Sequence, residues 1–234
     1  MIAVIAHRGE HLHHPENTLP AYDAAIRAGA DFVEVDVRTT ADGKLVVMHD
    51  ATVDSRTNGS GRVKDMTLAQ ILKLDAGIKS GEAFRGVPPP SFEEVLVWVR
   101  GRCRVYVDAK DVAPKALTAA LERHWMVDRS VIYGGMELLR QLPALKVMPE
   151  AVNAATTRRL VQELRPRVIA FDARDFTDDA IAVAREAEAE IYVDRFGPAD
   201  NEVAWQNAID RGATGIQTDK PAELTEYLKR KGYR

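Results

Sequence analysis

A chain of 234 residues with 46% hydrophobic content can bury one full core, and its size suits a single α/β domain over residues 1–234. A formal net charge of −3, with Lys and Arg spread along the sequence, gives no electrostatic footprint for a nucleic-acid partner. No apolar run approaches the roughly 20 residues of a membrane span, and the one cysteine, Cys103, excludes an intramolecular disulfide or a cysteine-built zinc site.

The first residues, MIAVIA, form a short apolar run that reads as a strand buried on both sides, ending abruptly in His7-Arg8-Gly9. No charged leader with an apolar stretch and cleavage site opens the given chain, so a cytoplasmic protein is expected; a periplasmic or secreted one with its leader removed is the alternative. His11, His13 and His14 follow in a polar loop with no fourth metal ligand in view. Asn17 or Thr18 is placed to cap a helix through Leu19, Tyr22, Ala25 and Ile26, stopped at Gly29.

Residues 32–50, FVEVDVRTTADGKLVVMHD, read as a strand, a turn and a return strand. In an extended chain Glu34 and Asp36 share one face, and Val33, Val35 and Val37 the other. Folding back through Asp42-Gly43 sets Asp36 opposite His49 and gathers Glu34, Asp36, His49 and Asp50, a group suited to holding a hard cation and moving a proton. Residues 51–90 are rich in turn signals, with a helical stretch near Leu68 to Leu74, and read as an insertion over a barrel mouth.

From Ser91, which caps a helix through Val99, the alternation becomes regular. Arg104 to Lys110 reads as a strand with Tyr106, Asp108 and Lys110 on one face. Strands follow at Val131–Tyr133, Leu145–Met148, Val168–Phe171, Glu190–Val193 and Gly215–Gln217, with helices between them such as Thr156–Leu164 and Thr177–Ala187. With the return strand left out, eight strands in βα units predict a TIM (β/α)8 barrel, whose site lies at the C-terminal strand ends. His7, Arg8, Glu34, Asp36, Asp108, Lys110, Asp172 and Asp219 stand at such ends, although the last two are equally placed to cap the helices that follow.

These residues resemble a family. His7-Arg8-Gly9, Glu16-Asn17-Thr18, Glu34-x-Asp36-Val37, Asp42-Gly43, His49-Asp50, Arg56-Thr57-Asn58-Gly59-x-Gly61 and the closing Gly212-x-x-Gly215-Ile216-x-Thr218-Asp219-x-Pro221 are similar to the bacterial glycerophosphodiester phosphodiesterases over essentially the whole chain. The resemblance implies a TIM barrel with a small insertion after the hairpin and a divalent metal, Mg²⁺ or Ca²⁺, or Mn²⁺, held by Glu34, Asp36 and Asp108. It further implies His7 and His49 as the general acid and base, and Arg8 and Lys110 on the phosphate. Asp50, Glu16 and Asn17 would support them. Two departures stand out. Asp108 replaces the family's glutamate and is one methylene shorter. Ile191 to Phe196 replaces a tryptophan-containing stretch, which leaves Tyr192, or Phe196 with Trp205, to line the mouth.

The implied reaction is metal-dependent hydrolysis of a small glycerophosphodiester to glycerol 3-phosphate and an alcohol. One histidine accepts a proton from the nucleophile, either water or the neighbouring glycerol hydroxyl, and the other protonates the leaving alcohol. Two rivals are weighed. A lysophospholipase D-like enzyme would need Phe84, Val87 and Phe92 to line an apolar groove. A non-catalytic phosphoester-binding barrel would not need both histidines.

Overall fold

The computed structural model describes all 234 residues. Its strands are β1 (Ala3–Ala6), β2 (Phe32–Thr39), β3 (Leu45–Val47), β4 (Arg104–Asp111), β5 (Ser130–Tyr133), β6 (Val147–Met148), β7 (Glu150–Ala151), β8 (Val168–Phe171), β9 (Glu190–Arg195) and β10 (Gly215–Thr218). Hydrogen-bonded neighbours run β6-β5-β4-β2-β1-β10-β9-β8-β7, all parallel, with β3 added antiparallel to β2. β6 and β7 are two halves of one crossing. Pro149 lies between them and has no N–H to donate, while its carbonyl accepts from Ala170 N at 3.0 Å. Counted as one strand, they bring the barrel to eight, and the expected strand Leu145–Met148 becomes this broken one, displaced toward the C-terminus.

Helices α1 (Leu19–Arg27), α2 (Leu68–Ile71), α3 (Phe92–Val99), α4 (Pro114–Arg123), α5 (Met136–Leu139), α6 (Ala154–Leu164), α7 (Asp178–Glu186), α8 (Glu202–Asp210) and α9 (Pro221–Arg230) alternate with the strands, α2 lying apart in the insertion. Ser91 begins α3 with a capping box to Glu94, as its position predicts. At α1 the expected cap is replaced. Thr18 occupies the cap position without a side-chain bond to the helix, and its hydroxyl donates to Pro15 O. No helix is long and apolar enough to cross a membrane.

Strand alternation divides the core in two. Val4, Val33, Val35, Val105, Val107, Ile132, Ile169, Ile191 and Ile216 face outward, into the layer between strands and helices. Ile5, Phe32, Tyr106, Val131, Met148, Val168 and Tyr192 fill the barrel interior instead. Gly215 makes room there, since a Cβ would come within 2.6 Å of the Tyr192 ring. Continuing each strand upward keeps the parity: Phe32 leads to Glu34 and Asp36, Tyr106 to Asp108 and Lys110, Tyr192 to Asp194. The polar residues therefore emerge inside the C-terminal mouth because the apolar residues below them point inward.

The return strand is shifted by one residue from expectation. Val37 pairs with Val47, and Met48 N donates to Asp36 O at 2.9 Å, so Met48, not His49, lies across from Asp36. The loop is longer than a two-residue turn because Thr40 Oγ1 bonds both Asp42 and the Lys44 carbonyl, closing Thr40 to Lys44 as a five-residue loop. Residues 51–90 pack over β3 on a small core of their own, built from Val46, Met48, Val53, Val63 and Ile71.

Candidate active site

One cavity of about 220 Å³ opens at the C-terminal mouth and is lined by His7, Arg8, Glu34, Asp36, Asp108 and Lys110 on one side. Its other side is formed by Tyr133, Glu150, Asp172, Asp194 and Phe196. The sequence reading named the first group. Of the second, it named only Asp172 and Phe196.

Arg8 departs from β1 in a left-handed conformation, φ 52°, and Gly9 follows at φ 81°. Only glycine fits there, because a Cβ would stand 2.7 Å from the Ala21 backbone of α1. This tight exit turns the Arg8 N–H onto Glu34 Oε2 at 2.7 Å. The Arg8 guanidinium meets Glu16 at 3.2 Å and Asp36 at 3.5 Å. Asn17, also left-handed, donates from Nδ2 to Asp36 Oδ2 at 2.7 Å and accepts from the Tyr22 hydroxyl at 2.8 Å. Asn17 thus serves the carboxylate instead of capping α1. Glu16 also receives Arg56 from the insertion at 3.2 Å, which ties residues 51–90 to the first loop.

Glu34 and Asp36 are each 1% exposed, and their carboxylate oxygens lie with one from Asp108 within 4.8 Å of one another. Burial, then Asp36 and Asp108, push the Glu34 pKa far above its usual range. Asp108 is raised by burial too, against the pull of Lys110. Lys110 Nζ bonds Asp108 at 2.6 Å and Asp36 at 3.2 Å. Burial opposes its charge, but the two aspartates outweigh it and raise its pKa on balance. Three carboxylates that repel one another in a buried site are a donor set for a hard divalent cation. The residues present fit one, and the shorter Asp108 reaches the group.

His7 Nδ1 lies 2.8 Å from Asp219 Oδ1, and the ring stacks on Phe196 with centroids 4.3 Å apart. Burial and Arg8 hold the His7 pKa below its ordinary value, against the raising effect of Asp219. Asp219 caps no helix by its side chain; it fixes this histidine and also faces His11 Nε2 at 3.5 Å. His13 and His14 each bond Glu10 instead. His49 is half-buried and is not among the residues that line the cavity; its Nδ1 lies on Asp50 Oδ1 at 2.8 Å, and it is near enough to Asp108 to favour that carboxylate's charged form. The Asp50 pKa is lowered by Ser55 first and then by His49.

Asp194 has a buried Oδ1 with no partner, and burial, then Asp172, push its pKa up to about 6. Glu150 accepts from Tyr133 at 2.8 Å. Trp205 is 1% exposed with its indole N–H on Asp200, so it does not line the mouth. Tyr192 and Phe196 both line the cavity, Tyr192 with its ring against Phe32 and Phe196 beside His7. Phe92, fully buried in the first turn of α3, cannot join Phe84 and Val87 in an exposed groove.

Fold and geometry define a (β/α)8 barrel whose C-terminal mouth sets a histidine beside two cations and a carboxylate trio. The pattern of the glycerophosphoryl diester phosphodiesterase family matches residues 7–167. The chain is 58% identical to a glycerophosphodiester phosphodiesterase of Caldanaerobacter subterraneus subsp. tengcongensis, over 98% of each chain. A glycerophosphodiester phosphodiesterase structure from Agrobacterium tumefaciens superposes with a TM-score of 0.89 at 30% identity, covering 97% of this chain and 100% of that one. An Oleispira antarctica phosphodiesterase, solved with sn-glycerol-3-phosphate, shares the fold at a TM-score of 0.88 and 22% identity, over 97% of this chain and 96% of that one. The chain belongs to the glycerophosphoryl diester phosphodiesterase family and is an enzyme of that class.

Proposed function

We propose that the protein hydrolyses water-soluble glycerophosphodiesters to sn-glycerol 3-phosphate and an alcohol, with His7 and His49 as the acid–base pair. The observation that carries this reading is the shared cavity: His7, two cations and the three carboxylates line one space. Arg8 and Lys110 offset charge on the phosphoryl oxygens as it builds toward the transition state. A divalent cation bound by Glu34, Asp36 and Asp108, Mg²⁺, Ca²⁺ or Mn²⁺ by the all-oxygen donor set, supplies Lewis acidity at the same phosphoryl group.

The histidines complete the chemistry. Asp219 fixes His7 through Nδ1, which leaves Nε2 for the reacting oxygen. Asp50 does the same for His49. One imidazole takes the proton of the attacking hydroxyl, and the other gives one to the leaving alkoxide. Asn17 and Glu16 act from behind, holding Asp36 and Arg8. Phe196 and the carboxylates of the far wall face the departing alcohol.

The test is release of glycerol 3-phosphate from glycerophosphocholine and glycerophosphoethanolamine by the purified protein, first in EDTA and then with Mg²⁺, Ca²⁺ or Mn²⁺ restored. Metal-restored release is the expected result. Cleavage confined to lysophospholipids, or none with metal bound, would overturn the reading.

A further inference from the structure

The opposite end of the barrel carries a second cavity that the reaction does not use. It holds about 100 Å³ and lies at the N-terminal strand ends, where Arg104, Arg129, Lys146 and Arg167 converge with Asp128 and Glu190. The four cations come from the starts of neighbouring barrel strands: Arg104 opens β4, Arg129 precedes β5, Lys146 precedes β6, and Arg167 precedes β8.

None of the four is ion-paired to a carboxylate, although two carboxylates lie in the same recess. Lys146 Nζ donates to the Asp128 carbonyl at 2.8 Å, and Arg129 to the Cys103 carbonyl at 3.4 Å. Arg104 Cζ lies 4.0 Å from the centroid of the Phe32 ring, a cation–π contact that leaves its N–H donors for a ligand. Glu190 is engaged by the Tyr192 hydroxyl at 3.0 Å. Asp31, on the same rim, is taken by Val4 N and Arg234. Four positive charges against two negative leave the recess at +2 in a chain of −3. Such an excess, with three planar N–H forks around a space of a few atoms, matches a tetrahedral oxyanion.

We propose that this recess binds a dianionic phosphate group, as free orthophosphate or as the head of a small phosphomonoester. The site is separate from the reaction at the other mouth and does not depend on how that reaction is read.

Amide NMR of the full chain tests it, with inorganic phosphate and glycerol 3-phosphate titrated separately at constant ionic strength. The expected result is a saturable set of shifts at Arg104, Ser130, Lys146 and Arg167, distinct from any set at His7 and Arg8. Shifts with phosphate assign the free ion, and shifts with the ester alone assign a phosphomonoester. Arg167→Gln, at an exposed position, and the double substitution Arg129→Gln/Arg167→Gln should weaken this set by about tenfold or more, with turnover of glycerophosphocholine unchanged. Shifts confined to the catalytic mouth, a non-saturating response, or undiminished affinity in the folded variants would each overturn the assignment.

Discussion

The two walls of the catalytic cavity are built by different rules. The wall of His7, Arg8, Glu34, Asp36, Asp108 and Lys110 comes from three adjacent strands, β1, β2 and β4. Its charged groups are tied together by Arg8 to Glu34 and Lys110 to Asp36 and Asp108, although the buried Arg8 Nε has no hydrogen-bond partner. The wall of Tyr133, Glu150, Asp172, Asp194 and Phe196 draws on separate strand ends, and one carboxylate oxygen in it has no partner. The family pattern covers residues 7–167, which takes in Tyr133 and Glu150 of the second wall and leaves out Asp172, Asp194 and Phe196. If the first wall stabilises the phosphoryl group and the second faces the alcohol, as proposed, the first cannot vary without losing the reaction, whereas the second can. Substitutions in the first should therefore lower turnover of every substrate alike, and those in the second should change the ratio between substrates.

The largest effect is expected at the histidines. His7→Ala and His49→Ala should each lower kcat by at least about a hundredfold, the scale of acid–base groups, with equal losses on glycerophosphocholine and glycerophosphoethanolamine. Near-normal turnover in either variant would remove that residue from the mechanism. Asp219→Asn comes next. It retains the shape at His7 but removes the charge that orients the imidazole, and about a tenfold to hundredfold loss of kcat is expected. Because Asp219 also raises the His7 pKa, its loss should move the His7 limb of the pH–rate profile to lower pH. An unmoved limb would make Asp219 a structural residue only.

On the far wall the effect should be smaller and selective. Phe196→Ala and Asp194→Asn should alter kcat/KM by a few-fold to about tenfold, unequally for a cationic alcohol such as choline and an uncharged one such as glycerol. Equal losses on both would erase the distinction between the walls.

The contrast also explains what could be read from sequence. In β2, acids alternating with valines announce an inward polar face, and the barrel places Glu34 and Asp36 there. The register of β3 was missed by one residue because it depends on the Thr40 hydroxyl bonding across the loop, which no alternation records. Asn17 looks like a helix cap, and only the left-handed turn after Arg8 swings it to Asp36. Asp219 has the same ambiguity, settled by its distance to His7. On the far wall each strand contributes about one residue, fixed by the parity of apolar residues below and by a break at Pro149. Glu150 and Asp194 thus have no local pattern to betray them.

The effect furthest from turnover isolates Asp194 from the chemistry altogether. Its pKa stands at about 6 in the folded chain against an ordinary 3.8, raised by burial and then by Asp172. A carboxyl with a raised folded pKa favours folding in its protonated form. The contribution is complete below about pH 4 and is lost as pH rises through 6, amounting to about 2–3 kcal/mol. Urea unfolding in EDTA, run on the wild type and Asp194→Asn from pH 4 to 7, should therefore show the wild type losing that much relative to the variant. A constant difference across the range would mean that Asp194 is charged at no cost. The far wall would then present a solvated carboxylate, in place of a buried one whose charge a cationic alcohol could offset.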